Sequence, residues 1–144
     1  MSEKFKFLEG ITEADYAFEA FGKDLNELFE NSASAVMSAQ ADVKTIKTKE
    51  KKEVKLKNEK VETLLFDFLQ EIIYYKDAEV LLFNKAKVKI RKVKNEYELV
   101  ATLEGEEINQ EKQKLGADVK AITYHMFEVE QTSKGWRAQI ILDV

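Results

Sequence analysis

Polar and apolar residues alternate over residues 4–8, with Phe5 and Phe7 on one face and Lys4, Lys6 and Leu8 on the other, which predicts a short strand with a buried face. Glu9-Gly10 is a turn signal. Residues 14–21 then alternate again, Ala14, Tyr16, Phe18 and Ala20 against Asp15, Ala17, Glu19 and Phe21, so two strands form a hairpin or lie side by side. Gly22-Lys23 ends the alternation and Asp24 opens a helix. Its carboxylate can accept an orphan amide, and Glu27, three residues on, can reach back. Leu25, Leu28, Phe29, Ala33, Val36 and Met37 recur at three and four, a core-facing stripe that carries the helix to about residue 40.

Residues 44–60 hold eight lysines and three glutamates, and Val54 and Leu56 mark a half-exposed strand around 51–57 with the lysines on a solvated face. The strongest helical period runs over 59–76, where Val61, Leu64, Leu65, Phe68, Leu69, Ile72 and Ile73 share one face. Strands are predicted over 79–84, 86–93 and 97–104, with a hairpin turn at Asn95-Glu96 and a polar surface loop over 105–118. A further strand spans 121–131, and its change of phase near His125-Met126 predicts a bulge. The last strand, 136–143, turns Trp136, Ala138, Ile140 and Leu142 one way and Arg137, Gln139, Ile141 and Asp143 the other. Helices and strands do not alternate regularly. The expected fold is therefore α+β, one domain over residues 1–144 in which two helices pack on a mixed, largely antiparallel sheet of seven or eight strands.

Composition narrows the chemistry. The 144 residues include no cysteine, which excludes disulfides, thiolate metal sites and a cysteine nucleophile, and the single histidine, His125, removes most triad and multi-histidine metal schemes. Five scattered glycines, each assigned to a turn, form no phosphate-binding loop, and no nucleophile motif appears, which with the single histidine counts against an independent small hydrolase. The net charge of −4 argues against general coating of nucleic acid, DNA included. No apolar run reaches the roughly 20 residues of a membrane span. Met1-Ser2-Glu3-Lys4 lacks a signal-peptide core, and the expected location is the cytoplasm.

Two features can carry function. Lys85, Lys87, Lys89 and Arg91 lie on one face of a strand and can track a phosphate backbone. With no aromatic side chain among them, they read more simply as a solvated face whose charges discourage edge pairing. Asp15, at the start of a strand, and Asp143, beside the carboxylate of Val144, offer oxygen ligands to a hard cation: calcium, magnesium or manganese. Capping of strand ends in water is the alternative for both.

The chain resembles the archeases, small proteins that assist the RtcB-type tRNA-splicing RNA ligase, over essentially its full length. The matching segments are Phe5-Lys6-Phe7-Leu8-Glu9 with Thr12 to Asp15, Gly22 through Phe29, and Leu64 through Leu69. Most specific are Asp118-Val119-Lys120-Ala121-Ile122-Thr123-Tyr124-His125 and the ending Trp136 to Leu142-Asp143-Val144. The resemblance implies an accessory protein that promotes the ligase's guanylylation and its multiple turnover in tRNA splicing. It also implies a divalent cation, calcium first, with Asp15, Asp143 and Val144 at the metal and Lys120, His125 and Asp118 toward the partner. Asp15 matches the aspartate of the family's His-Thr-Ala-Asp motif, Asp143 the aspartate before the last residue, and Lys120 the lysine of Glu-Val-Lys-Ala. Two positions depart from the pattern: Gly10 to Asp15, with Glu13 inside it, has no histidine, and Asp118 stands where glutamate is usual. Tyr124 and His125 are assigned mainly to packing or to orienting a carboxylate. RNA is then reached indirectly, through the ligase. The competing expectation is a stand-alone RNA-binding or chaperone-like module using the lysine-rich strands.

Overall fold

Alternation along Trp136, Ala138, Ile140 and Leu142 makes β8 (Gly135–Asp143) the centre of a five-stranded sheet, with Ala138, Ile140 and Leu142 fully buried. The computed structural model describes residues 4–8 and 15–144. On one side of β8 lie β2 (Asp15–Gly22) and then β1 (Phe5–Leu8); on the other lie β6 (Ala121–Ile122) and β7 (Glu128–Thr132). A second sheet has the order β3 (Glu50–Asn58), β5 (Glu96–Glu107), β4 (Leu81–Val93). Every ladder among the described residues is antiparallel. The α+β expectation thus holds with eight strands, divided between two sheets.

Helix α1 (Leu25–Gln40) is capped as its sequence predicts: the Asp24 carboxylate accepts the Glu27 amide at 2.9 Å, and the Glu27 carboxylate accepts the amide of Lys23. It packs on β2 and along β4, where it closes a sheet edge. The Val88 amide donates to the Glu30 carboxylate and the Ile90 amide to the Asn26 side-chain oxygen, each at 2.8 Å. Helix α2 (Val61–Glu79) lies on the inner face of the second sheet and touches β6 and β7. All seven residues of its predicted stripe are buried, and the Phe29 and Phe68 rings stack where the helices meet. One continuous core joins Phe18 and Ile140 of the first sheet to Phe83 and Leu103 of the second.

Several boundaries differ from the sequence expectation. The strands predicted at 79–84 and 86–93 are a single strand, β4, interrupted by a register shift between Phe83 and Lys85. Asn84 fills the irregularity by donating its amide to the Ile46 carbonyl at 2.8 Å, which explains why three consecutive apolar residues precede a strictly alternating run. α2 runs to Glu79, three residues past the expected end, and stops at Val80 in the left-handed region. The hairpin turn falls on Lys94-Asn95, one residue early. Gly105 belongs to no turn: it lies inside β5, where a Cβ would sit 1.9 Å from the Leu82 carbonyl oxygen. Phe7 is half-exposed rather than buried; among the described residues its ring meets those of Phe5, Tyr16 and Phe18. The turn expected at Glu9-Gly10 lies outside the described residues.

Candidate functional site

Three residues singled out from distant parts of the chain meet at the C-terminal end of β8. Antiparallel register sets Asp15 of β2 directly opposite Asp143, and on the other side Ala121 of β6 pairs with the same Asp143. The Lys120 amide donates to the Asp143 carbonyl at 2.7 Å, fixing that lysine at the corner of the sheet. The side chains of Asp143 and Lys120 are exposed, whereas Val144 packs its side chain against the core, so what Val144 offers a cation is main-chain oxygen. Two aspartates opposed in an antiparallel ladder stand at positions whose Cβ atoms are normally about 4.5–5.5 Å apart. Among the described residues no three carboxylate or imidazole groups converge as a ready-made metal cage.

The segment leading into this corner is held by α2. Lys76 donates its ammonium to the Asp118 carboxylate and to the Val119 carbonyl, each at 2.6 Å, and Val119 itself is fully buried. Gln70 accepts the Ile122 amide at 2.6 Å. The Phe66 ring stacks on Tyr124, centroids 3.8 Å apart and planes within 6°. The ammonium beside Asp118 holds its carboxyl below the usual aspartate range. Asp118 is therefore exposed but already engaged within its own chain.

The strand expected over 121–131 is broken rather than bulged. Ile122 pairs with Leu142 and Glu128 with Gln139, so five residues on this side face two on β8 and three are extruded. Phe127 closes the excursion by donating to the Tyr124 carbonyl, with Met126 in the left-handed region. The extruded residues, Tyr124, His125 and Met126, are all exposed, Tyr124 to 60%. Packing accounts for one face of Tyr124, against Phe66, but His125 is a surface residue.

Elsewhere, Glu19 and Arg137 form a partly buried ion pair. Burial pushes the Glu19 carboxyl up, but the Arg137 guanidinium outweighs it and the group ends below its ordinary value. Glu71 of α2 goes the other way: burial and the neighbouring Asp67 raise its carboxyl. A concavity of about 600 Å³, lined by Trp136, Lys23, Lys134 and Glu27, opens at the other end of β8, where Gly22 pairs with Trp136. It is remote from the aspartate corner.

The archease protein family model matches residues 5–144 of this sequence. The chain belongs to the archease family. Protein archease of Thermococcus kodakarensis is 39% identical over 132 residues, 91% of this chain and 93% of its own length. That of Methanosarcina acetivorans is 34% identical over 143 residues, 99% and 97% of the two chains. The archease fold described above is similar to the solution structure of protein 1598 of Methanobacterium thermoautotrophicum, with a TM-score of 0.86, 36% identity, and 98% and 99% of the chains covered. A Thermotoga maritima archease, described as a possible chaperone, shares the fold with a TM-score of 0.63 at 22% identity over 92% and 93% of the chains. Within this archease the sequence expectations leave out Lys76, Gln70 and Phe66, the residues that position the 118–124 segment. A signal for Lys76 was present: it continues the stripe of Leu69, Ile72 and Ile73, where an unpaired lysine has no place. No helix among the described residues is long and apolar enough to cross a membrane.

Proposed function

We propose that this archease is an accessory protein, not itself an enzyme, that activates an RtcB-type tRNA-splicing RNA ligase in the cytoplasm, promoting guanylylation and sustaining multiple turnover. The observation that carries the reading is the meeting of Asp15, Asp143 and Lys120 at one corner of the sheet, although Asp15 is more than a hundred residues of chain from the other two. Asp15, Asp143 and main-chain oxygen of Val144 form an all-oxygen donor set suited to a hard divalent cation, calcium first, with magnesium and manganese of the same class. The register that sets Asp15 opposite Asp143 supports the same assignment, because it brings two carboxylate-bearing positions to neighbouring places on adjacent strands. When bound, such an ion supplies positive charge that offsets charge developing on phosphate oxygens.

The chain's own residues account for the partner side of the reading. Lys120 presents an exposed point charge to an acidic surface of the ligase. Tyr124 and Met126, exposed beside it with His125, are of the residue types that anchor protein interfaces. Asp118 acts through its bond to Lys76, which holds the presenting segment in place.

Single-turnover guanylylation and ligation by the ligase, with and without this protein, test the proposal. The wild-type chain raises the guanylylation rate and permits repeated turnover. Asp143→Ala, at an exposed position, loses roughly tenfold or more of that stimulation while its thermal melt is unchanged, and it loses the calorimetric signal on titration with calcium or manganese. Ligation unaffected by the wild-type protein at every ratio overturns the reading.

A further inference from the structure

The two lysine-rich stretches are separate in sequence and become one surface in the fold. β5 lies between β3 and β4, and the register aligns Lys51 with Lys85 across Glu104, Lys55 with Lys89 across Val100, and Lys57 with Arg91 across Glu98. The fourth row places Lys87 opposite Thr102 and Glu53. These positions all point away from the core, which lies on the other face beneath Val54, Ala101 and Val88. These four rows carry seven cations against three carboxylates, a surplus of four positive charges on a chain whose net charge is −4. Each glutamate is engaged by one neighbour: Glu104 by Lys51, Glu53 by Lys55 and Glu98 by Arg91. Among the described residues Lys57, Lys85, Lys87 and Lys89 have no carboxylate at ion-pair distance.

Protection of a sheet edge does not explain the lysines of β4, which supply three of the four unpaired ones. The β4 edge is already closed by α1, whose Glu30 and Asn26 side chains take up the Val88 and Ile90 amides. An acidic protein surface is a poor match as well. Protein interfaces are depleted in lysine and rely on aromatic, methionine and arginine anchors, whereas this face is lysine-rich and its exposed large apolar residues are two valines, Val100 and, at the hairpin end, Val93. It carries no aromatic side chain, so it is no platform for stacking unpaired bases. What remains is a flat array of point charges, with side chains about 6.7 Å apart along a strand and strands about 4.8 Å apart. Such an array recognises a regular polyanion by its charge and cannot read its sequence.

We propose that the outer face of β3, β5 and β4 docks directly on the phosphate backbone of base-paired RNA. The phosphate chemistry rests on this sheet alone, and the choice of RNA over DNA rests on the ligase reading above. The ligase and its RNA would then meet different surfaces of the same small protein.

Fluorescence anisotropy with a labelled RNA stem-loop, in the absence of ligase, tests the docking over about 50–200 mM salt. Four unpaired lysines predict a log–log salt slope of about −3 to −4. Lys87→Gln with Lys89→Gln lowers the magnitude of that slope by about two, and Lys87→Arg with Lys89→Arg restores it, with melting curves superimposable throughout. Absence of salt-dependent binding, or an unchanged slope in the glutamine pair, overturns the proposal. Binding of poly-glutamate as tight as that of RNA also overturns it, in favour of an acidic protein partner. A DNA duplex bound as well as the RNA overturns the choice of RNA. Because no ligase is present, none of these outcomes bears on the ligation assay, so the two readings fail separately.

Discussion

Lys76 shows what a single residue contributes to this fold. Its side chain is 10% exposed and continues an apolar helical stripe, a costly place for an ammonium unless acceptors converge on it. The Asp118 carboxylate and the Val119 carbonyl do so, and through them one lysine ties α2 to the segment that leads into the aspartate corner. Lys76→Met keeps the packed stem but leaves the Val119 carbonyl without its donor, and a loss of about 1 kcal/mol is expected, measured as a lowered urea midpoint. Asp118 reports the same tie through pH. Its folded carboxyl lies below the ordinary value of 3.8, so its contribution is complete above that value and is lost as pH falls through the lower folded one. The difference in urea midpoint between wild type and Asp118→Asn is therefore present at neutral pH and closes in acid below 3.8. The Asp24 cap was legible in the sequence because donor and acceptor lie three residues apart. Lys76 and Asp118 lie 42 residues apart, and no local pattern pairs them.

Among the elements, the places where periodicity misleads are those where two strands fail to advance in step. Hydrophobic alternation specifies that 81–93 is extended, but it cannot distinguish two strands from one strand with a register shift at Asn84. That shift brings the β4 backbone onto Gly105 of β5, which explains a glycine that the sequence assigns to a turn. Gly105→Ala would place a Cβ against the Leu82 carbonyl, a backbone atom that cannot rotate away. A loss of about 2–3 kcal/mol is expected, visible as a lower melting temperature with helical circular dichroism retained below the transition. The break between β6 and β7 has the same origin. A phase change near His125-Met126 is visible in the sequence, whereas the three extruded residues are fixed by pairing with β8, a partner no local window contains. The exposed Tyr124, His125 and Met126 are the product of that mismatch, so the candidate interface is a consequence of strand register rather than of a loop inserted for the purpose.

Across the molecule, two sheets sharing one core keep two charged surfaces apart. The aspartate corner ends the first sheet, and the lysine array covers the outer face of the second, with α1, α2 and the core cluster between them. The lysine surface was not apparent as such in the sequence, where the lysines form two separate runs that only cross-strand register joins. The aspartates were grouped at one cation site from the sequence, and what the fold adds is the register that sets them opposite each other. Physical separation would make the two proposed functions independently variable. Groups far apart with no shared partner combine additively, within about 0.3–0.5 kcal/mol. Asp143→Ala is accordingly expected to abolish calcium binding and ligase stimulation while leaving RNA affinity unchanged. Lys87→Gln with Lys89→Gln weakens RNA binding while leaving calcium binding unchanged. The combined variant should show both losses at the size each has alone, measured by calorimetry for the cation and anisotropy for RNA. A coupling between the two well above 0.5 kcal/mol would mean that one surface contributes to both events, and the division of labour between the sheets would be wrong.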